Sequence, residues 1–165
     1  MSSAKELIIN QKHNINNMKR TILLLSVLIF TCSAFAQDSP KELIAEFFTT
    51  YKNDAGKAVR DLYKTNKWTE RIQDDIENIG NKVDGFNENL MGKYYGSELI
   101  TSKKFAESFV LYSYLVKYDR QPLRFTFKFY KPNDKWVLYA FQYDDSLDDE
   151  IEEAAKLYHL NLDNN

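Results

Sequence analysis

The chain has 165 residues and an apolar fraction of 44%, values typical of one globular domain. Its 22 lysines and arginines are balanced by 24 acidic residues and form no basic stripe in the sequence, which argues against binding of nucleic acid. The sequence also lacks a glycine-rich phosphate loop, a nucleophile elbow and the residue order of a catalytic triad.

The first 36 residues have the pattern of a secretory leader. Met18-Lys19-Arg20 is a basic start, Thr21 to Cys32 is an apolar run, and Ala34-Phe35-Ala36 is a small-x-small cleavage site. We therefore predict a signal peptide over 18–36 and translation starting at Met18, which makes 1–17 a non-native extension. The apolar run is shorter than the roughly 20 residues that span a bilayer, so we expect cleavage and no stable membrane span.

Export places the mature protein in the periplasm or outside the cell. Cleavage after Ala36 removes Cys32, the only cysteine, and leaves 18 basic against 23 acidic residues, a net charge of -5. A domain of this length can fold on its core without disulfides. The alternative is a lipoprotein anchored through Cys32, although Thr31 is a poor residue before a lipidated cysteine.

Two helices are predicted at the start of the mature chain. Ser39 precedes Pro40, and Glu42 follows three positions after the serine, which is the pattern of a capped helix start. Asp54 is placed to cap a second, short helix that ends near Thr65. Apolar residues at helical spacing give each helix one side to bury: Leu43, Ile44, Phe47, Phe48 and Tyr51 in the first, and Ala58, Val59, Leu62 and Tyr63 in the second.

A third helix is predicted from Asn66 to Asp84, with Gly85 placed to end it. Gly80 weakens its last turn, where we expect fraying. The predicted inner side consists of apolar residues spaced by three or four: Trp68, Ile72, Ile76, Ile79 and Val83.

Residues 92–146 hold 15 of the 24 aromatic residues and most of the period-two patterning. They predict four antiparallel strands: an edge strand over Lys93 to Lys103, a central strand over Ser108 to Tyr118, and a hairpin formed by Leu123 to Tyr130 and Trp136 to Tyr143. Pro132-Asn133-Asp134 is the predicted turn of that hairpin.

A closing helix is predicted after the sheet. Ser146 is its expected cap, acids follow in the first turn, and Ile151, Ala154, Ala155 and Tyr158 form the expected buried stripe. Residues 161–165 are a polar tail. The predicted organisation of the mature chain is thus a single α+β domain over 37–160.

This order of elements predicts an α+β fold in which amino-terminal helices pack on a curved four-stranded antiparallel sheet, followed by a short C-terminal helix. The arrangement resembles the cystatin-like cone shared by nuclear transport factor two, ketosteroid isomerase and scytalone dehydratase. Gly92-Lys93-Tyr94-Tyr95-Gly96 and Tyr130-Lys131-Pro132-Asn133-Asp134-Lys135-Trp136 also resemble an uncharacterised family of small secreted bacterial proteins. The first resemblance implies a pocket between helices and sheet; the second implies no activity.

Candidate pocket-lining residues follow from that architecture: Phe47, Tyr51, Tyr112, Tyr114, Phe125, Phe127 and Tyr139. Enzymes with a cone fold use acids, tyrosines or histidines in this pocket. A tyrosine paired with Glu98 is one arrangement available here, whereas His159, the only histidine after the leader, falls at a predicted helix end. No spacing selects one pair, so we predict no catalytic residue, cofactor or metal ligand.

Acidic residues are concentrated over 144–153. Carboxylates at this density can bind Ca²⁺, but the loop of an EF-hand is absent, and acids at a helix start also match the helix dipole.

We therefore predict a non-catalytic envelope protein of a Gram-negative bacterium that binds a small apolar ligand or another protein. The alternatives are an isomerase, dehydratase or hydrolase of the same fold, and a homodimer formed through the open side of the sheet.

Overall fold

A computed structural model describes residues 39–160, which belong to the compact unit Gln37–Asn165. The predictions for 1–17, for the signal peptide over 18–36 with Cys32, and for the tail over 161–165 lie outside the described residues. The helices are α1 (Pro40–Tyr51), α2 (Ala55–Tyr63), a 3-10 helix (Lys67–Ile72), α3 (Gln73–Asp84), α4 (Glu88–Met91) and α5 (Leu147–His159). The strands are β1 (Tyr94–Ala106), β2 (Phe109–Tyr118), β3 (Leu123–Tyr130) and β4 (Val137–Asp144). Within this range, no helix has the length and apolar character needed to cross a membrane.

The four strands form one antiparallel sheet in the order β1-β2-β3-β4. Bulges interrupt the β1–β2 and β3–β4 ladders and bend the strands into a curved, open sheet. The α+β class, the amino-terminal helices and the short C-terminal helix are all confirmed. The β2–β3 pairing puts Tyr114 opposite Phe125 and Tyr112 opposite Phe127 on the helix side, whereas Leu111 and Lys128 pair on the outer side.

The predicted starts of the first two helices are confirmed. Ser39 and Glu42 form a capping box at the start of α1, and the Asp54 carboxylate accepts a hydrogen bond from the Lys57 amide at the start of α2. Each bond satisfies an amide that lacks a partner inside the helix.

Aromatic rings fill the space between α1 and the sheet. Phe47 of α1 lies edge-on to Phe127, with 5.0 Å between ring centroids, and Phe48 stacks on Phe125 at 6.5 Å. Phe125 and Phe127 are completely buried, and Phe141 of β4 packs against both. The core is therefore a closed cluster of rings.

The end of α2 is attached to the outer edge of the sheet. The Leu138 amide donates to Thr65 Oγ1 at 3.0 Å, and Asn66 Nδ2 donates to the Leu138 carbonyl at 2.9 Å. These bonds satisfy backbone groups on the free edge of β4, where another strand would otherwise pair.

The predicted third helix is correct only over its second half. Residues 67–72 form a 3-10 helix, and Trp68 and Ile72 are 64% and 43% exposed rather than buried. Thr69 takes the inner position, and its hydroxyl donates to the carbonyls of Tyr63 and Asn66. Because a 3-10 helix repeats every three residues, side chains four apart no longer share a side.

α3 continues through Gly80 to Asp84, with Gly85 at its cap. Gly80 is buried, and a Cβ atom there would lie 2.5 Å from Nη1 of Arg60 on α2. The missing side chain therefore makes room for the arginine between the two helices.

The predicted burial of the closing helix is wrong. None of the residues of α5 is buried, and Ile151 and Tyr158 are 70% and 77% exposed. Ser146 occupies the cap position, but its side chain makes no capping bond. The periodicity was sufficient to form one apolar side, but no element of the described chain covers it.

Candidate functional site

A groove with a volume of about 820 Å³ lies where helix ends meet the start of the sheet. The loop between α1 and α2 forms one wall, the segment from α3 to α4 forms another, and β1 forms the third. Its aromatic lining comprises Tyr51, Phe86, Tyr94, Tyr95 and Tyr118, and we call it the tyrosine groove.

Two buried tyrosines form the floor of the tyrosine groove. The hydroxyl groups of Tyr51 and Tyr118 hydrogen-bond to each other, and the two side chains are only 5% and 9% exposed. The Tyr94 ring lies 5.5 Å from that of Tyr51 and 5.7 Å from that of Tyr118. The three rings form a compact cluster at one end of the core.

Burial raises the pKa of Tyr51, and the nearby Tyr118 raises it further. Burial likewise raises the pKa of Tyr118 and of Tyr94. All three phenols are therefore protonated and uncharged at neutral pH, so the floor is a neutral aromatic surface.

Asp119 closes the outer rim at the start of β1. Its carboxylate accepts from the Tyr95 hydroxyl at 2.7 Å and from the Lys93 amide at 2.6 Å. These two hydrogen bonds lower the pKa of Asp119, the tyrosine bond being the larger cause. Gly92 has a φ of 76°, and a Cβ atom there would lie 2.5 Å from Asp119 Cβ, so this corner requires glycine.

Three polar side chains of the groove satisfy amides at helix starts. Asp54 accepts from the Lys57 amide at 2.8 Å, and Asn87 accepts from the first amides of α4. Asp84 Oδ1 accepts from the Gly56 amide at 2.5 Å. These oxygens complete the starts of α2 and α4, which explains their presence without a ligand.

The residues predicted to line a pocket are scattered. Tyr51 lines the tyrosine groove, and Phe47 borders a small cavity of about 60 Å³ between α1 and α2. Phe125 and Phe127 lie in the closed core. Tyr112 and Tyr114 are half-buried on the helix side of β2, and Tyr139 is 62% exposed on the outer side, 5.3 Å from the Phe109 ring.

The structure does not bring Glu98 to these tyrosines. Glu98 pairs with Leu115, whereas the neighbouring Leu99 pairs with Tyr114, so Glu98 and Tyr114 point to opposite sides of the sheet. Glu98 instead forms an ion pair with Lys117. His159 is exposed in the last turn of α5.

Two acids of 144–153 converge on an arginine side chain. Asp144 binds Arg124 through both oxygens, at 2.8 and 3.0 Å, and Glu150 binds the same arginine. Over residues 39–160, no three His, Cys, Asp or Glu side chains are grouped so that they could hold a metal ion.

The groove residues that the sequence interpretation missed are Phe86, Tyr94, Tyr95 and Tyr118. The available signal was the tyrosine pair enclosed by two glycines, Gly92-Lys93-Tyr94-Tyr95-Gly96, because both glycines adopt a positive φ and bend the chain around the rings. Comparisons with protein-family models, curated proteins and solved structures gave no match.

Proposed function

We propose that the protein is an exported, non-catalytic binding module of the bacterial envelope and that the tyrosine groove holds a small ligand. The export part of the proposal is supported by the leader pattern over residues 18–36. The binding part is supported by the contrast between a closed ring-filled interior and an open groove of about 820 Å³, a volume typical of small-molecule sites.

The chemistry of the groove favours a ligand with a flat apolar part and few charges. Tyr94, Tyr95 and the two floor tyrosines offer uncharged rings, while Lys52 and Lys93 are balanced by carboxylates of the same groove. An aromatic surface of this kind contributes contact area with little loss of side-chain freedom.

A binding role fits the state of the polar groups. The hydroxyls of Tyr51 and Tyr118 bond to each other, and the carboxylates of Asp54 and Asp84 bond to backbone amides. A catalytic acid or base needs a free position toward the substrate and a pKa near the working pH. The raised pKa values of the tyrosines move them away from that range.

The proposal is tested by native mass spectrometry of protein purified from its own cell envelope. We expect a reproducible small-molecule adduct that survives gentle desolvation. Ala55→Trp places an indole in the groove and should remove the adduct. Ala45→Trp, an equally large change on the exposed side of α1, should retain it. An adduct that persists in Ala55→Trp, or no adduct on the wild type, would contradict the proposal.

The second candidate is an isomerase, dehydratase or hydrolase of the cone fold. One observation favours it: Tyr51 and the Asp84 carboxylate border the same groove. Turnover of an enolisable ketone, or of an ester, by the wild type but not by Tyr51→Phe would support this candidate. Equal rates for the two proteins would exclude Tyr51 as its catalytic group.

A further inference from the structure

α5 carries an apolar stripe that no other part of the described chain covers. The stripe consists of residues spaced by three or four: Leu147, Ile151, Ala154, Ala155 and Tyr158. Apart from the half-buried Leu147, all of them are exposed. A 13-residue helix is marginally stable in water by itself, and most helices of this length depend on packing of an apolar side.

The same helix is strongly acidic. Five carboxylates stand against one lysine between Leu147 and His159. Asp148 and Glu150 lie on either side of the stripe at helical spacing. Glu150 forms an ion pair with Arg124 of β3, which joins α5 to the sheet.

The outer side of the sheet carries a surface with the complementary properties. Two cross-strand rows meet there: Lys103, Leu111 and Lys128 in one, and Phe109 and Tyr130 in the next. Tyr139 adds its ring beside Phe109. We call these six residues the outer patch.

The outer patch has a lysine on either side of Leu111, and its three aromatic rings lie together in the neighbouring row. Tyr130 and Tyr139 are 42% and 62% exposed, and Phe109 and Leu111 are half-buried. Lys103 and Lys128 form no ion pair with the described residues; Lys128 only donates to Gln142 at 3.0 Å. The two lysines complement the acids beside the α5 stripe, where Asp148 forms no ion pair with the described residues and Glu150 is held by Arg124.

We propose that the protein forms a dimer in which α5 of each copy packs its stripe on the outer patch of the other. The occupant is a second copy because this chain carries both complementary surfaces, while α5 of the same chain, attached to Arg124, leaves its own patch open. Reciprocal exchange uses the same two surfaces twice and closes a two-fold dimer. The inference is independent of the tyrosine groove.

The test is the mass of the mature chain, residues 37–165, measured by sedimentation and light scattering over a range of protein and salt concentrations. We expect a dimer whose dissociation constant rises with salt, because the flanking contacts are ionic. Ile151→Asp in the stripe and Tyr139→Asp in the patch should each raise the dissociation constant by about tenfold or more. Both residues are exposed in one copy, so both variants should keep the wild-type circular dichroism spectrum.

Two controls separate this dimer from other modes of association. Lys128→Glu should weaken the dimer, whereas Lys41→Glu on the exposed side of α1 should leave it unchanged. Mixing Ile151→Asp with Tyr139→Asp should restore a heterodimer, because the intact α5 of one variant meets the intact patch of the other.

Three results would overturn the proposal. One is a monomer at every concentration, including a monomer in which contact with its own sheet protects the α5 amides from hydrogen exchange. Another is a dimer that survives both substitutions. The third is a monomer that binds vesicles of anionic phospholipid through the outer patch, which would assign the lysines and rings to a lipid surface.

Discussion

The hydroxyl groups of Tyr51 and Tyr118 hydrogen-bond to each other, although the two residues are 67 positions apart in the chain. Tyr51 is the last residue of α1 and Tyr118 is the last residue of β2. The bond therefore joins the helix layer to the sheet at the floor of the tyrosine groove. Each hydroxyl is buried and satisfies the other, so neither is easily lost alone.

The losses of stability caused by removing the two hydroxyls should not be additive. Tyr51→Phe and Tyr118→Phe each leave a buried hydroxyl without its partner, and we expect a cost of about 1–3 kcal/mol for each. In the double variant the two losses should fall short of their sum by about 1 kcal/mol. Urea unfolding of the four proteins measures this coupling. Strictly additive losses would show that the hydroxyls act independently.

The buried tyrosines predict a loss of stability at alkaline pH. The pKa values of Tyr51, Tyr94 and Tyr118 are raised in the folded state above the ordinary value of 10.0. A raised pKa means that the folded protein retains protons that the unfolded chain releases. The stabilisation is therefore complete below pH 10 and declines as the pH rises toward the folded values.

Urea unfolding at about pH 8 and about pH 11, followed with phenolate absorbance, checks this. Part of the tyrosine absorbance should appear only when the protein unfolds. The double variant Tyr51→Phe/Tyr118→Phe should show a smaller decline in stability between the two pH values. Full titration of all tyrosines in the folded state would contradict the burial of this cluster.

Because of the position of Arg60, we expect Gly80→Ala to destabilise the wild type but to stabilise a variant that lacks the arginine. Arg60 Nη1 is buried without a hydrogen-bond partner, and Nε and Nη2 lie 3.6 and 3.7 Å from Glu77 and Asp84. Gly80→Ala would place a Cβ atom 2.5 Å from Nη1, so we expect a loss of about 1–3 kcal/mol. In an Arg60→Ala background the same change should stabilise α3 by up to about 1 kcal/mol, because alanine favours a helix over glycine.

Thermal and urea unfolding of the four combinations of residues at positions 60 and 80 measures the effect of Gly80→Ala on stability in each background. The same sign in both backgrounds would show that Arg60 does not occupy the space above Gly80.

The rim carboxylate predicts a titration that depends on one tyrosine. The pKa of Asp119 lies below the ordinary 3.8, chiefly because the Tyr95 hydroxyl donates to it. A lowered pKa contributes stability above the ordinary value, and that contribution is lost as the pH falls through the folded pKa. Tyr95→Phe should therefore move the pKa of Asp119 upward in a carboxyl NMR titration, and Tyr139→Phe should not. An unchanged pKa in Tyr95→Phe would contradict the rim geometry.

Two phenylalanines of opposite exposure test the core. Phe127 is completely buried, and Phe127→Ala should cost about 3–5 kcal/mol. Phe105 is 89% exposed, and Phe105→Ala should change the free energy of unfolding by no more than about 0.5 kcal/mol. Chemical unfolding compares them directly. A large loss of stability in Phe105→Ala would mean that β1 packs against another surface in solution.

The strands were predictable because alternating apolar and polar residues determine which side of each strand faces the core. Leu123 to Tyr130 was predicted with the bounds that the structure gives, since Phe125, Phe127 and Phe129 must share one side. The starts of α1 and α2 were equally clear, because Ser39 and Asp54 satisfy backbone amides close to them in the chain. These features depend on local chemistry.

The errors arose where the burial of a side chain depends on which other element packs against it. Trp68 and Ile72 have helical spacing, but residues 67–72 form a 3-10 helix in which Thr69 takes the inner position. Ile151 and Tyr158 do share one side of α5, yet periodicity cannot show which surface covers it. The tyrosine groove was missed for a related reason: it is built from the ends of α1, α3 and β1, which only the tertiary fold brings together.

Binding of a small ligand in the tyrosine groove is tested by an NMR titration of the isotope-labelled mature domain with a small-molecule extract of its own cell envelope. We expect the amide resonances of Tyr94, Tyr95 and Gly96 to shift, because these residues line the tyrosine groove. The resonances of Tyr112 and Tyr114 should stay in place. Shifts centred on those two sheet residues, or no shifts at all, would contradict binding in the groove.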